Sequence, residues 1–316
     1  MGKVSIIVTS YCHQNFIEQT MKSIFEQTYT DWEILIWDDS PDDATWNIIQ
    51  YYIQEYPSKI KARHHSPSKH IVWNLNFLLS HTDPHSEYIA FLEWDDIWDQ
   101  NYLLEKIKIF NQYPHVGLIY NDLSIINSTW DIIEENRINS RTRKRYKNET
   151  DSIGKLLLSD MICFSYSTLM SRKFDHITIH NRWKKDLLWS ESDYRLQIAN
   201  QYNIYGIEKP LTLYRKHWSN NSKDLDITIE HFRFLVKNYF SDWYIDELEY
   251  KKISILIGLM KFFHSLQNKK IKKAVLYFID CLTISVIDTI VIWYNSFYYR
   301  LIKPYFLHLS KKLWRK

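Results

Sequence analysis

Tyr88-Ile89-Ala90-Phe91-Leu92-Glu93-Trp94-Asp95-Asp96 is the stretch on which the reading of this chain turns: an apolar run, then three carboxylates within four positions. A buried strand that ends in clustered carboxylates delivers hard oxygen ligands to a sheet's carboxyl edge, where open α/β sheets bind their ligands. A metal-bound phosphate fits that place. Taken alone, Glu93-Trp94-Asp95-Asp96 reads better as a polar turn in which Asp95 or Asp96 caps the next helix. Its company along the chain reverses that preference.

Upstream, residues 4–8 (Val-Ser-Ile-Ile-Val) read as a buried strand, and Asn15 followed by Glu18 reads as a capping box opening a helix with Ile17, Met21, Ile24 and Phe25 on one face. A turn at 28–31 leads to a second strand at 32–37 that ends in Asp38-Asp39. A helix at 45–52 stops near Pro57. A short strand at 60–63, a helix at 73–79 and the strand 88–92 continue the alternation, which predicts a parallel sheet. Downstream, the spacing predicts a helix over 102–110 and a strand over 117–120. A helix at 153–158, a mixed strand at 165–170, a helix at 193–200 and two short strands at 205–207 and 211–214 follow. Beyond about Asp224 the pattern is helical, with little Gly or Pro before Pro304.

Composition bounds the function. The 316 residues are 45% hydrophobic and 24% charged, which places the chain among globular proteins and against wholesale disorder. Only 5 residues are Gly, and neither a Walker nor a Rossmann glycine loop is present, so a glycine-cradled nucleotide site is unsupported. Cys12, Cys163 and Cys281 are far apart, which argues against a disulfide framework or a thiolate zinc site and for a reducing, cytoplasmic compartment. The apolar run at 4–8 is too short for a secretory signal. Net charge is only +3, but 141–147 and the C-terminal end are locally basic. Residues 274–299 are nearly continuously apolar and aromatic, interrupted by Asp280 and Asp288, acids that are expensive in hydrocarbon. Two readings stand side by side for 274–316: an interfacial segment on an anionic membrane surface, and an oligomerising or self-packing helix pair.

Read together and in order, VSIIVTSYCHQNFIEQTMKSIFEQTY, DWEILIWDDSPDDAT, YIAFLEWDD and YRKHWSNNS resemble glycosyltransferase family 2, the inverting enzymes with the GT-A fold. The resemblance covers roughly the first 220 residues, longer than one ordinary domain. It implies an α/β GT-A domain at 1–223, with a Rossmann-like, mostly parallel sheet flanked by helices, a nucleotide-binding half at 1–100 and an acceptor-binding half at 101–223. A helical C-terminal extension at 224–316 follows. Thr9, Ser10 and Tyr11 at the first strand's end, with Asp38 and Asp39 at the second's, are implied to hold base and ribose. The chemistry agrees, because a carboxylate accepts the uracil N–H and acidic oxygens pair with ribose hydroxyls. Asp39 is the preferred base contact; the competing reading is that these acids only terminate a turn. The family usually has glycines where Ser40 and Ala44 stand. Asn74 matches the asparagine of an Arg-Asn pair near the diphosphate, with Trp73 in the arginine's place.

Glu93-Trp94-Asp95-Asp96 matches the family's D-x-D motif with glutamate first. The resemblance assigns Asp95 and Asp96 to a divalent cation, Mn²⁺ or Mg²⁺, and Glu93 to the ribose side; the roles are interchangeable among the three. Asp95 thus serves nucleotide-sugar and metal alike. Trp189-Ser190-Glu191-Ser192-Asp193-Tyr194-Arg195-Leu196 resembles the E-D-x-D-L-W-L segment, which makes Glu191 the general base and Asp193 the second candidate. Acids at a helix start also favour the macrodipole with no catalysis at all. Tyr214-Arg215-Lys216-His217 resembles the closing Y-R-x-H motif, in which Arg215 meets the diphosphate and His217 completes the metal shell or contacts phosphate.

The expected activity is therefore metal-assisted sugar transfer with inversion, from a nucleotide-sugar donor, UDP-linked in the first instance, to a hydroxyl of a glycan or lipid-linked acceptor. A nucleotidyltransferase would need a Gly-rich basic loop after the first strand, which residues 9–16 lack. A nucleic-acid-binding module would rest on 141–147 alone; a surface loop is the better reading, and no nucleic-acid partner is expected. His64, His65 and His70 lack metal-ligand spacing and read as a solvated loop.

Overall fold

The computed structural model describes residues 2–64, 71–136, 148–150, 165–179, 191–217, 233–234, 236–238, 246–267, 270–285 and 289. The chain divides into two compact units, Met1–Asn220 and Asn221–Lys316. In the first unit, β1 (Lys3–Ser10), α1 (Ile17–Phe25), β2 (Trp32–Asp38), α2 (Ala44–Glu55), β3 (Ile60–His64), α3 (Ile71–Ser80) and β4 (Ser86–Glu93) alternate strictly. Next come β5 (Ile97–Trp98), α4 (Tyr102–Gln112), β6 (Val116–Ile126), β7 (Ile132–Glu134) and β8 (Asn148–Thr150). A 3₁₀ turn (Tyr166–Thr168), β9 (Leu169–Arg172), α5 (Glu191–Gln201) and β10 (Asn203–Arg215) complete it.

The strands form one ten-stranded sheet in the order β3-β2-β1-β4-β9-β6-β10-β5, with β7 on β6 and β8 on β10. The four strands β3, β2, β1 and β4 run parallel, as their helical crossovers require. β9 then enters antiparallel between β4 and β6, and β10 lies parallel to β6. The fold is α/β with helices against the sheet: α2 packs on β3, α3 on β1 and β2, and α4 and α5 on β6.

Strand alternation explains why these runs are apolar at nearly every position, the buried exceptions Ser5 and Glu33 bonding to each other at 2.7 Å. Val4, Ile6 and Val8 join Ile34, Ile36, Ala90 and Leu92 in one core with Ile17, Met21, Ile24, Leu103 and Ile107 from α1 and α4. Their alternates, Ile7, Leu35, Ile89 and Phe91, are equally buried and point to the opposite face, where Phe91 meets Tyr166 and Tyr194 at ring separations of 4.3 and 5.3 Å. Strands of a sheet covered on both sides read as near-continuous apolar runs. Each such side chain is worth about 1.5–3 kcal/mol when fully buried.

Three local expectations are corrected. Asn15 does not open α1: Phe16 is the N-cap, and the amides of Phe16 and Ile17 donate to His13 O at 3.0 and 3.1 Å, so a backbone turn sets the helix start. The two strands expected at 205–207 and 211–214 are one strand, β10, whose register shifts around Pro210. Proline has no amide hydrogen for the ladder, so it breaks the pattern without ending the strand. The mixed strand expected at 165–170 begins as a 3₁₀ turn and becomes β9 only at Leu169. The helix expected at 153–158 and the basic segment 141–147 lie outside the described residues.

In the second unit, the helices Glu247–Gln267 and Ile271–Ile284 pack antiparallel. Gly258 makes room for the Cys281 sulfur, Lys261 Nζ lies 5.6 Å over the Tyr277 ring, and Phe262 meets Phe278 at 5.2 Å. Ile271, Val275, Leu276 and Ile279 are exposed on the second helix. Among the described residues no helix is long and apolar enough to cross a membrane. Apart from Thr289, residues 286–316 of the expected surface segment lie outside the description.

Candidate active site

Register brings the predicted nucleotide residues together. In the parallel ladder Thr9 lies beside Trp37 on one side and Glu93 on the other, and Ser10 lies beside Asp38. The carboxyl ends of β1, β2 and β4 therefore form one edge. Asp39 continues it, its amide donating to Ser10 O at 2.9 Å. Cys12 turns the chain away from β1 at φ 57, and its amide donates to Ser40 Oγ at 2.8 Å. Tyr11, before that turn, is more than half exposed.

The two aspartates at the end of β2 are held differently. Asp39 accepts from Trp37 Nε1 at 2.9 Å on one oxygen and from Asn74 Nδ2 at 2.7 Å on the other. Asn74, predicted near the diphosphate, thus reaches this carboxylate from α3. Asp38 accepts from Ser40 Oγ at 2.6 Å, and its other oxygen lies 3.0 Å from His64 Nδ1. His64 is consequently no solvated loop residue. It ends β3 in register with Asp38 and stacks on Trp46 at 5.3 Å. His65 and His70 lie outside the described residues.

The acidic cluster follows from how the chain leaves β4. Thr20 Oγ1 of α1 lies 2.6 Å from the Trp94 carbonyl and 2.9 Å from that of Asp96, which fastens the turn from below. Glu93, Asp95 and Asp96 then bring carboxylate oxygens within 4.8 Å of one another. Asp95 Oδ2 lies 2.7 Å from His217 Nε2, so the expected closing histidine meets the expected metal carboxylate. Asp96 is fully buried. Its Oδ1 accepts from the Arg215 amide at 2.9 Å, and its Oδ2 accepts from Ser167 Oγ at 2.6 Å and Ser165 Oγ at 3.0 Å. Burial, and next the charge of Asp95, push the Asp96 carboxyl above the usual carboxylate range, against the pull of these hydrogen bonds.

Arg215 is tied into the cluster by its side chain as well. Its Nε donates to Asp95 O at 2.8 Å and a terminal nitrogen donates to Gln19 Oε1 at 2.9 Å. The guanidinium lies 4.9 Å from the Phe16 ring centroid and 4.6 Å from that of Trp130, while Phe16 also meets His217 at 4.8 Å. His13 completes the set of groups that sequence reasoning missed. Its Nδ1 accepts from the Tyr11 amide at 3.2 Å, which leaves the ring proton of the neutral imidazole on Nε2. Burial holds its pKa below the usual value, with Asp95, His217 and Asp38 as the facing charges. His13 stands inside the first quoted motif without an assigned role, and no motif announces Ser165 or Ser167; only the folded chain places them here.

Glu191 is the first residue of α5, and its side chain lies outside the description. Asp193 is fully buried, and one carboxylate oxygen accepts from Gln197 Nε2 at 3.1 Å. The structure therefore joins Thr9, Ser10, Asp38, Asp39, Asn74, Glu93, Asp95, Asp96, Arg215 and His217 around one sheet edge. The two expected base candidates, Glu191 and Asp193, both lie on α5, which packs against β6.

The profile of glycosyl transferase family 2 matches residues 5–177, more than half of the chain. The chain belongs to this family. It is similar to the Escherichia coli UDP-Glc:alpha-D-GlcNAc-diphosphoundecaprenol beta-1,3-glucosyltransferase WfgD, 31% identical over 136 residues, which are 43% of this chain and 48% of WfgD. The match spans about half the length of that relative. Among solved structures, residues 1–349 of S. aureus TarS with UDP-GlcNAc superpose with a TM-score of 0.57 at 15% identity, covering 89% of this chain and 81% of TarS 1–349. The mannosyltransferase PcManGT of Pyrobaculum calidifontis, with GDP-Man and Mn²⁺, gives 0.58 at 14% identity, covering 98% of this chain and 83% of that one. At such identity the likeness carries the fold alone, and that fold is GT-A. The expected family and fold class of this family 2 chain are both met.

Proposed function

We propose that this protein transfers a sugar from a UDP-linked donor to a hydroxyl of a glycan or lipid-linked acceptor, with inversion at the anomeric carbon. The observation that carries the reading is the cluster of Glu93, Asp95 and Asp96, with His217 on Asp95, beside the edge where Thr9, Ser10, Asp38 and Asp39 converge. The names of similar proteins lend support to the substrates: TarS is crystallised with UDP-GlcNAc, and WfgD is named for a UDP-Glc donor and a diphosphoundecaprenol acceptor.

Hard carboxylate oxygens with one imidazole suit a divalent cation, and the convergence of three carboxylates within 4.8 Å fits one. Asp95, Asp96 and His217 would hold Mn²⁺ or Mg²⁺, which when bound offsets the charge that develops on the departing nucleotide diphosphate. Glu93 takes ribose hydroxyls. Asp39 accepts the base N–H, held in orientation by Trp37 and Asn74. Tyr11, exposed at the mouth of the edge, covers the base. Arg215 fixes the Asp95 backbone and adds positive charge on the diphosphate side. Glu191 takes the acceptor hydroxyl proton as that oxygen attacks in line, and the proton leaves on its carboxylate. The burial of Asp193 and its bond to Gln197 favour Glu191 for this task.

A thermal-shift panel of UDP-, GDP- and dTDP-sugars with and without Mn²⁺ tests this. A ligand at 100 times its Kd adds about 2.7 kcal/mol to the folded state. For the catalytic unit this corresponds to a rise of about 5–10 °C in Tm. The UDP-sugar with Mn²⁺ is expected to give it and EDTA to remove it; equal melting with every nucleotide would sink the reading.

We place the enzyme at the cytoplasmic face of a membrane, peripherally, through 274–316. The exposed apolar residues Ile271, Val275, Leu276 and Ile279, with Lys270, Lys272 and Lys273 exposed at the same helix's start, support an anionic lipid surface. Full-length protein is expected to float with anionic liposomes at low salt and to be released at high salt. Absence of flotation would leave oligomer contact as the explanation of these exposed side chains.

A further inference from the structure

The 3₁₀ turn that precedes β9 carries two buried serines aimed at the acidic cluster. Ser167 Oγ donates to Asp96 Oδ2 at 2.6 Å and accepts from the Glu93 amide at 2.9 Å. Ser165 Oγ lies 3.0 Å from Asp96 Oδ2 and 3.2 Å from Glu93 Oε2, so its one hydrogen is shared between two carboxylates. Like charges this close repel, and a shared donor between them offsets that repulsion.

The turn itself is anchored from three other elements. Ser167 O accepts from Trp98 Nε1 of β5 at 2.7 Å and from Thr212 Oγ1 of β10 at 3.1 Å. Thr168 O accepts from the buried Lys106 Nζ of α4 at 2.5 Å, and Leu169 O accepts from Tyr102 OH at 3.0 Å. Lys106 Nζ also lies 3.4 Å from the Ile119 carbonyl, so one buried side chain ties this turn to β6. Anchors from β5, β10 and α4 on one short turn fix where its two hydroxyls sit against the cluster.

We propose that Ser165 and Ser167 are positioning residues that hold Glu93 and Asp96 in register, so that the cluster is preformed for a divalent cation before donor arrives. The inference rests on reading the cluster as a metal site. Partners that orient metal ligands typically govern affinity by about 10–100-fold.

The test is Mn²⁺ titration of the full chain without donor, by calorimetry and by electron paramagnetic resonance of free Mn²⁺. Ser167→Ala is expected to weaken Mn²⁺ binding by about 10–100-fold, and Ser167→Thr, which keeps the hydroxyl, to restore most of it. A role in stability alone would lower the melting temperature and leave the affinity of the folded protein unchanged. Should Ser167→Ala fail to fold by near-ultraviolet circular dichroism, Ser165→Ala decides by the same titration. Affinity within twofold of the unsubstituted protein in the folded variant overturns the proposal. If the unsubstituted protein binds neither Mn²⁺ nor Mg²⁺, the reading of the cluster as a metal site fails instead, and this inference with it.

Discussion

Asp95→Ala is expected to abolish measurable sugar transfer while leaving the protein folded. Asp95 is the carboxylate that meets His217, at 2.7 Å, and its backbone carbonyl is what Arg215 grips. The substitution removes the side chain and keeps that carbonyl, so the turn built by Thr20 and Arg215 survives. What disappears is charge stabilisation in the transition state, where loss of one well-placed group costs about 10²–10³-fold in kcat. Asp96→Ala is expected to behave differently. Its oxygens satisfy Ser165, Ser167 and the Arg215 amide, and each buried group left unpaired costs about 1–3 kcal/mol. Turnover of UDP-sugar in Mn²⁺, read beside urea unfolding, separates the two. A tenth or more of normal activity in Asp95→Ala would remove this residue from the centre of the mechanism.

Glu191→Gln is expected to bind nucleotide-sugar normally and to transfer about 10²–10⁴-fold more slowly, the usual consequence of losing a positioned base. The amide is nearly isosteric, so donor affinity by thermal shift should hold while single-turnover transfer collapses. Asp193→Asn is the informative partner. Asp193 is fully buried near the start of α5 and bonded to Gln197, so its replacement should be read in stability more than in rate. The reverse outcome, a dead Asp193→Asn beside a nearly normal Glu191→Gln, would move the base by two residues and make it Asp193.

The motifs that made the site legible are local. Each consists of an apolar run and the polar residues that end it, so the periodicity that predicts a strand also predicts where its carboxylates emerge. Glu93, Asp95 and Asp96 were visible for that reason, as were Asp38 and Asp39. His64 was not, because three histidines in a short stretch carry no period and no ligand spacing; its partner Asp38 is fixed by the pairing of β2 with β3. The extent of β10 was hidden by Pro210, which imitates a strand boundary in sequence but is absorbed as a register shift in the sheet.

By itself, then, the sequence determined the alternation of strands and helices, the acidic strand ends and the family, since all three are written in residues close together along the chain. The closing motif named His217 as a companion of those acids, but only tertiary structure decided which atoms meet. Asp95 and His217 are 122 positions apart, Asp96 and Ser167 are 71 apart, and Arg215 and Gln19 are 196 apart. No periodic signal spans such separations. They close because β9 and β10 insert antiparallel and parallel beside β4 and β6, and a sheet's order is settled by which apolar faces can be covered together rather than by any one segment.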